Sequence, residues 1–286
     1  MRRSQLYVSS QAPIRDRDYN VRMIVRCDDA DIFYELRGQG PDVVLLHPYP
    51  SDHHYWHPLA PHLESRFRLV LPDLRGLGRS GMGDGPTTMP KLASDLLGLC
   101  DALRIGRAVF VGCSAGGYAL FEFWRRSRER VKALVLMDTK ASLDTDEVRL
   151  GRLKNAEEVL KNGPLWGIEQ MLPRLLSPAT MSSRPDIVEQ AKQTMRQCSA
   201  VGMAAMQLGM AERVDSRPTL DVIDAPTLVL GGEDDAPSPV SELEAMARGI
   251  RDAELKIVPR AGHFAAFEQP EEVGRLMRDF LERHGR

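Results

Sequence analysis

The stretch Gly112-Cys113-Ser114-Ala115-Gly116 is the part of this chain best equipped to do chemistry. It has G-x-S-x-G spacing, it follows the apolar run Val109–Val111, and a helical pattern over 116–126 begins at once. A sharp strand-to-helix turn of this kind holds the central serine in a strained conformation with its hydroxyl exposed. The flanking glycines lack a Cβ, so neighbouring backbone can come close. The amide of Ala115, at the start of the helix, is placed to donate to a developing oxyanion. The plainer alternative is a glycine-rich turn with a capping serine, and the strand before and helix after argue against it. Cys113 is read as a buried neighbour and not as the nucleophile.

A serine hydroxyl needs a base, and the base needs a carboxylate to orient it. In a strand–turn–helix setting the chain order is serine, acid, histidine. Only His263 and His284 follow Ser114. His284 lies at the end of the chain, where disorder is expected. His263 follows the apolar run Leu255–Val258, and the end of a strand is where an α/β sheet builds its site. The acid is sought in Glu233-Asp234-Asp235, directly after another apolar run, Leu228–Leu230. Asp235 is the choice. Asp234 is the runner-up, and Asp138, directly after the run Ala133–Met137, is a third possibility. A second oxyanion donor should come from His47-Pro48-Tyr49-Pro50, after the run Val43–Leu46. Pro48 has no amide hydrogen, so the donor there is the amide of Tyr49.

These residues need a scaffold, and the patterning supplies one. Short runs rich in β-branched residues recur at Val21–Val25, Ile32–Leu36, Val43–Leu46, Phe67–Leu71, Val109–Val111, Ala133–Met137, Leu228–Leu230 and Leu255–Val258. The middle runs are apolar on consecutive residues, the mark of strands buried on both faces of a parallel sheet. Leu92, Leu96, Leu99 and Leu103 have helical spacing with Pro90 in the first turn. Residues 116–126, 239–250 and 271–283 are further helices. The expected fold class is α/β, a doubly wound, mostly parallel sheet. The alternation stops over 142–216, which reads as helices only, at Glu157–Lys161, Ile168–Leu176, Ile187–Gln197 and Met203–Glu212. The expected organisation is an arm at 1–20, a core formed by 21–141 with 217–286, and a helical cap at 142–216. Ser114 and Asp235 are 121 residues apart while Asp235 and His263 are 28 apart, which places the insertion in the first gap.

Taken together, these motifs resemble the α/β-hydrolase superfamily, over about Val21 to Glu282. The resemblance is carried by His47-Pro48-Tyr49-Pro50, Pro72-Asp73-Leu74-Arg75-Gly76-Leu77-Gly78-Arg79-Ser80, the Ser114 turn, Gly232-Glu233-Asp234-Asp235 and Ala261-Gly262-His263. Within it, the cap and acid loop look most like the 3-oxoadipate enol-lactonase-like esterases and lactonases. The resemblance implies Ser114 as nucleophile, Asp235 as acid, His263 as base, the Tyr49 and Ala115 amides as oxyanion hole, and no cofactor. The family pattern usually has glycine where Pro48 stands. The implied activity is cleavage of a small-molecule carboxylic ester or lactone through an acyl-enzyme on Ser114. Carbon–carbon bond hydrolysis, perhydrolysis or lyase chemistry on the same residues is the alternative, and a catalytically idle ligand-binding relative is a second. Relatives with dehalogenase or epoxide hydrolase activity carry aspartate as nucleophile, and the serine at 114 argues against those activities.

Composition narrows the remaining classes. With 286 residues the chain can bury about three quarters of its surface around one core. A net charge of −2 gives no basic field for nucleic acid. No run of 18 apolar residues is present, so no membrane helix is expected. The start Met1-Arg2-Arg3 suggests an export signal, but Gln5, Ser9, Ser10, Gln11 and Arg15 interrupt the apolar stretch it would need. Four cysteines without C-x-x-C spacing read as buried thiols of a cytoplasmic protein. His47, His53, His54, His57 and His62 crowd one segment, with His53 and His57 at i, i+4. Pro58 breaks that segment and H-E-x-x-H is absent, so no metal is expected: His47 should pack under the site and the others rim its mouth. Met203, Met206 and Met210 read as ordinary contact between cap and core, and Trp124–Arg130 as a solvated helix end.

Overall fold

A computed structural model describes residues 21–285. The expected arm over residues 1–20 lies outside the described residues. Eight strands form one sheet: β1 (Val21–Cys27), β2 (Ala30–Arg37), β3 (Asp42–Leu46), β4 (Arg68–Pro72), β5 (Ala108–Cys113), β6 (Val131–Met137), β7 (Thr227–Gly232) and β8 (Glu254–Val258). Each contains or overlaps one of the eight apolar runs read from the sequence. Their spatial order is β1-β2-β4-β3-β5-β6-β7-β8. β1, β2 and β4 pair antiparallel, and every pairing from β4 through β3 to β8 is parallel.

The runs of consecutive apolar residues are explained by burial on both faces. Val44, Leu46, Phe110, Leu134, Leu136 and Val229 pack into one core cluster, whereas Val43, Leu45, Val109, Val111, Val135 and Leu230 pack into another. Alternate residues of each strand thus serve opposite sides of the sheet. Helices α1 (Met89–Ala102) and α2 (Ala115–Ser127) cover the first face through Leu92, Leu96, Tyr118 and Phe121.

Between β6 and β7 come six helices: α3 (Asp146–Asn162), α4 (Pro164–Leu175), α5 (Pro178–Ser183), α6 (Pro185–Met195), α7 (Ala200–Ala211) and α8 (Arg217–Leu220). Side chains of Thr145, Ser177 and Ser199 cap α3, α5 and α7. The chain closes with α9 (Val240–Gly249), α10 (Ala265–Glu268) and α11 (Pro270–His284). Helix α9 adds Leu243 and Met246 to the first core cluster, and α11 adds Val273, Met277 and Phe280 to the second. The helices α5, α8 and α10 are absent from the sequence reading because four to six residues are too few to display a 3.6-residue period. His284 is not disordered: it ends α11, with its ring 4.8 Å from that of Phe280.

The helices between β6 and β7 are stitched to the rest by backbone bonds. Thr87 N–H donates to Ala205 at 3.0 Å, and Phe264 N–H donates to Leu175 at 2.9 Å. Met203, Met206 and Met210 are buried in the first core cluster, as ordinary packing residues would be. Among the described residues no helix is long and apolar enough to cross a membrane.

Candidate active site

Ser114 sits where β5 turns into α2, with φ 51° and ψ −111°. That backbone conformation is unfavourable for a residue with a Cβ, and it persists because its neighbours over-determine it. Ser114 N–H donates to the Met137 carbonyl at 3.0 Å, and the Ser114 carbonyl accepts from Thr139 Oγ1 at 2.9 Å. The two glycines of the motif are sterically required. A Cβ on Gly112 would lie 2.7 Å from the backbone of Gly116 and Gly117, and one on Gly116 would lie 2.4 Å from the Leu46 carbonyl oxygen. The second contact packs the start of α2 against the end of β3, which brings the segment 47–50 beside the serine turn.

His263 Nε2 lies 2.7 Å from Ser114 Oγ, and His263 Nδ1 lies 2.9 Å from both carboxylate oxygens of Asp235. All three side chains are buried. A carboxylate at Asp235 accepts the hydrogen bond from His263 Nδ1–H, which leaves the Nε2 lone pair facing the serine hydroxyl. Asp235 Oδ1 also accepts from Ser238 N–H at 2.8 Å, which fixes the carboxylate. The arrangement can draw the proton from Ser114 as its oxygen attacks an electrophile.

The two other acids considered stand elsewhere. Asp234 is exposed, with its N–H donating to the Ala261 carbonyl at 2.8 Å. Asp138 is fully buried and accepts from Gly232 N–H at 2.8 Å. Burial, and next the charge of Asp235, push its carboxyl well above the usual range. Cys113 points into the core, its thiol 3.4 Å from the Tyr55 hydroxyl and pushed far upward by burial, as expected of an inert thiol.

Ala115 is the first residue of α2, so its N–H has no intrahelical acceptor. Tyr49 lies on the turn after β3, and the Tyr49–Pro50 bond is cis. His47 braces this turn from below. Its Nε2 accepts from Leu74 N–H at 2.8 Å, which leaves Nδ1–H to donate to the Pro48 carbonyl, also at 2.8 Å. His47 therefore packs under the site as the sequence suggested. The other histidines do not all rim it: His53 is fully buried against Asp73, and His62 lies against Gly274 of α11.

Several buried groups around the site were invisible in the sequence. Glu268 accepts from Gly262 N–H at 2.7 Å and from the N–H and hydroxyl of Ser177 at 2.9 and 2.8 Å. It thereby ties the loop that carries His263 to the helices between β6 and β7. Gln207 Oε1 lies 3.5 Å from Arg152 Nη1. Arg152, Arg213 and Lys140 surround Asp144 at 2.6, 2.8 and 3.3 Å. The Arg213 guanidinium also covers the Tyr118 ring at 4.4 Å, one turn along α2 from Ser114. Three cations thus face one carboxylate beside the site. Only Lys140 stands at a local spacing from Asp144, four residues before it; Arg152 comes from α3 and Arg213 from the segment after α7, so the sequence does not announce the cluster.

The model of the α/β hydrolase fold family matches residues 41–270 of the chain. The chain belongs to the α/β-hydrolase fold family. The 3-oxoadipate enol-lactonase 1 of Acinetobacter baylyi is 27% identical over 242 residues, which is 85% of this chain and 89% of that protein. Among solved structures, a thermophilic esterase from Thermogutta terrifontis, in its malate-bound form, is 38% identical with a TM-score of 0.89, covering 93% of this chain and all of that one. The enol-lactonase from Burkholderia xenovorans LB400 is 26% identical with a TM-score of 0.85, covering 91% of this chain and all of that one. The chain is thus an α/β-hydrolase enzyme of the enol-lactonase-like kind, with esterases and lactonases among its relatives.

Proposed function

We propose that this protein is a serine hydrolase that cleaves a small-molecule carboxylic ester or lactone, with Ser114 as nucleophile, His263 as base and Asp235 as orienting acid. The observation that carries the reading is the continuous relay from Asp235 through His263 to Ser114, at 2.9 and 2.7 Å. Ser114 Oγ attacks the carbonyl carbon as His263 Nε2 takes its proton, and the amides of Tyr49 and Ala115 receive the carbonyl oxygen as it becomes negative. The imidazolium, stabilised by Asp235, then protonates the departing alkoxide or enolate. Water attacks the acyl-enzyme with His263 again as base, releasing the acid and restoring Ser114. No cofactor is needed for any of these steps.

In this reading the helices between β6 and β7 form a cap over the serine. Arg152 and Arg213 of the cap and Lys140 beside it share one carboxylate, Asp144, which supports a substrate bearing its own carboxylate. Four buried thiols without disulfides support a cytoplasmic location. The test is a turnover panel of esters and lactones of graded size, with and without a carboxylate, run on the wild type and Ser114→Ala. The reading expects Ser114→Ala to lose on the order of a million-fold in turnover. Retained activity would overturn the mechanism.

A further inference from the structure

The residues on either side of His263 are both held by the helices between β6 and β7. Phe264 N–H donates to the Leu175 carbonyl at 2.9 Å. Gly262 N–H donates to Glu268 Oε1 at 2.7 Å, and Glu268 Oε2 accepts from the N–H and the hydroxyl of Ser177 at 2.9 and 2.8 Å. Residues 175–177, where α4 gives way to α5, therefore run alongside residues 262–264, and the Glu268 side chain bridges the two segments.

The glycine before His263 belongs to the same contact. A Cβ on Gly262 would lie 2.6 Å from Ser177 N and 2.7 Å from the Leu176 carbonyl carbon, so the two backbones meet too closely for a side chain there. On its other side the loop rests on the turn that carries Asp235. Asp234 N–H donates to the Ala261 carbonyl at 2.8 Å, and a Cβ on Gly232 would lie 2.2 Å from the Gly262 carbonyl oxygen. His263 is thus clamped between the turn of Asp235 and the segment 175–177. Ser177 is fully buried and Glu268 is 4% exposed, so bulk water does not replace a bond lost here.

We propose that Glu268 is a positioning residue, which relays the seat of the cap to His263 and so holds Nε2 at the Ser114 hydroxyl. The inference rests on the reading of His263 as the base of Ser114. Glu268 acts through Gly262, the residue before the base, and not on the reacting atoms. Its two oxygens take three donors, one on the side of the base and two on the side of the cap. A carboxamide offers only one acceptor oxygen. In Glu268→Gln the amide N–H₂ must therefore face either Gly262 N–H or Ser177 N–H, donor against donor in a buried place. Either orientation releases one end of the bridge.

Displacing a catalytic group by about an ångström costs up to roughly a hundredfold in rate. The step that feels it is the proton transfer between Ser114 and His263. His263 serves as base in acylation and again in deacylation, so both steps slow together and KM stays near its wild-type value. The loss therefore falls on kcat and on the rate at which Ser114 reacts with an electrophile.

The test measures p-nitrophenyl acetate hydrolysis and the rate of fluorophosphonate labelling at Ser114 in the full-length protein. Glu268→Gln should lower kcat and the labelling rate together, by roughly ten- to a hundredfold, with KM within about threefold of wild type. Ser177→Ala removes one of the three donors and should lower both by a smaller factor. Ser199→Ala removes the side chain that caps α7, which loosens the same group of helices away from His263, and should leave kcat unchanged. In a His263→Ala background, Glu268→Gln should alter the residual labelling rate by less than about twofold, because the residue it positions is gone. A purely structural role would slow that background again by the full factor. Wild-type kcat and labelling in Glu268→Gln, a loss confined to KM, or a further full loss in the His263→Ala background would overturn the proposal. Should Glu268→Gln fail to fold, Ser177→Ala carries the same comparison, alone and with His263→Ala. Wild-type protein that does not label at Ser114 would instead overturn the reading of the site itself.

Discussion

Two buried histidines in this molecule hold a carboxylate at Nδ1 and differ in what Nε2 meets. His263 has Asp235 at 2.9 Å on one side and the Ser114 hydroxyl at 2.7 Å on the other. His53 has Asp73 at 2.8 Å on one side and a second carboxylate, Glu35, at 3.5 Å on the other. In both rings the carboxylate at Nδ1 makes Nε2 the basic nitrogen. Where Nε2 meets a hydroxyl, a proton can move from oxygen to nitrogen and back, which is what acyl transfer requires. Where it meets a carboxylate there is no hydroxyl to activate. A buried histidine–aspartate pair therefore does not define a catalytic base; the group beyond the second nitrogen does.

The largest expected effect that sharpens this contrast falls on the acids at the catalytic end. Asp235→Asn should lower kcat by about ten-thousand-fold, since an amide cannot impose the required tautomer on His263. Asp138→Asn should cost less than about tenfold, because the Asp138 side chain accepts from Gly232 N–H while the His263 ring is held by Asp235. Steady-state kinetics of the two variants check both values, and equal losses would break the assignment of the acid.

At the other pair the loss should appear in stability. Asp73→Ala strands the His53 and Arg79 amides and the His53 ring, all of which donate to this buried carboxylate. Unfolding in urea should show a loss of about 3 kcal/mol.

A smaller effect separates both pairs from a third buried carboxylate, one held by guanidinium groups. Burial works against the charge of Asp144, but Arg152 and Arg213 outweigh it and hold the carboxyl well below the usual range. A depressed folded value contributes stability above the unfolded value of about 3.9, and that stability is lost as pH falls through the folded one. Asp144→Asn should therefore cost about 2 kcal/mol at neutral pH, with solvent screening of the partly exposed Arg152 and Lys140 allowed for. The gap to wild type should narrow in urea melts below pH 4 or so.

The contrast also explains what the sequence could and could not convey. The central strands were legible because burial on both faces forces consecutive apolar residues, as in Val109–Val111 and Leu228–Leu230. Ser114, Asp235 and His263 were legible because each follows such a run, so chain order stands in for spatial order. Asp235 could not be separated from Asp234 by type, because both are aspartates on one turn and only backbone direction decides which reaches His263. Glu35 was missed altogether. It sits on β2, far in sequence from the histidines, and one glutamate in a strand carries no local mark of burial against them. Glu268 was missed for a related reason: at the end of a four-residue helix it reads as a surface acid, whereas it is buried and accepts from Gly262 and Ser177.

The central claim is that Ser114 is activated by the His263–Asp235 pair, and covalent labelling tests it most directly. A fluorophosphonate probe, followed by intact mass and peptide mapping, should give one adduct per chain, on Ser114. The adduct should be absent in Ser114→Ala and form far more slowly in His263→Ala. Folded wild-type protein that stays unlabelled, or carries the adduct elsewhere, would contradict the account.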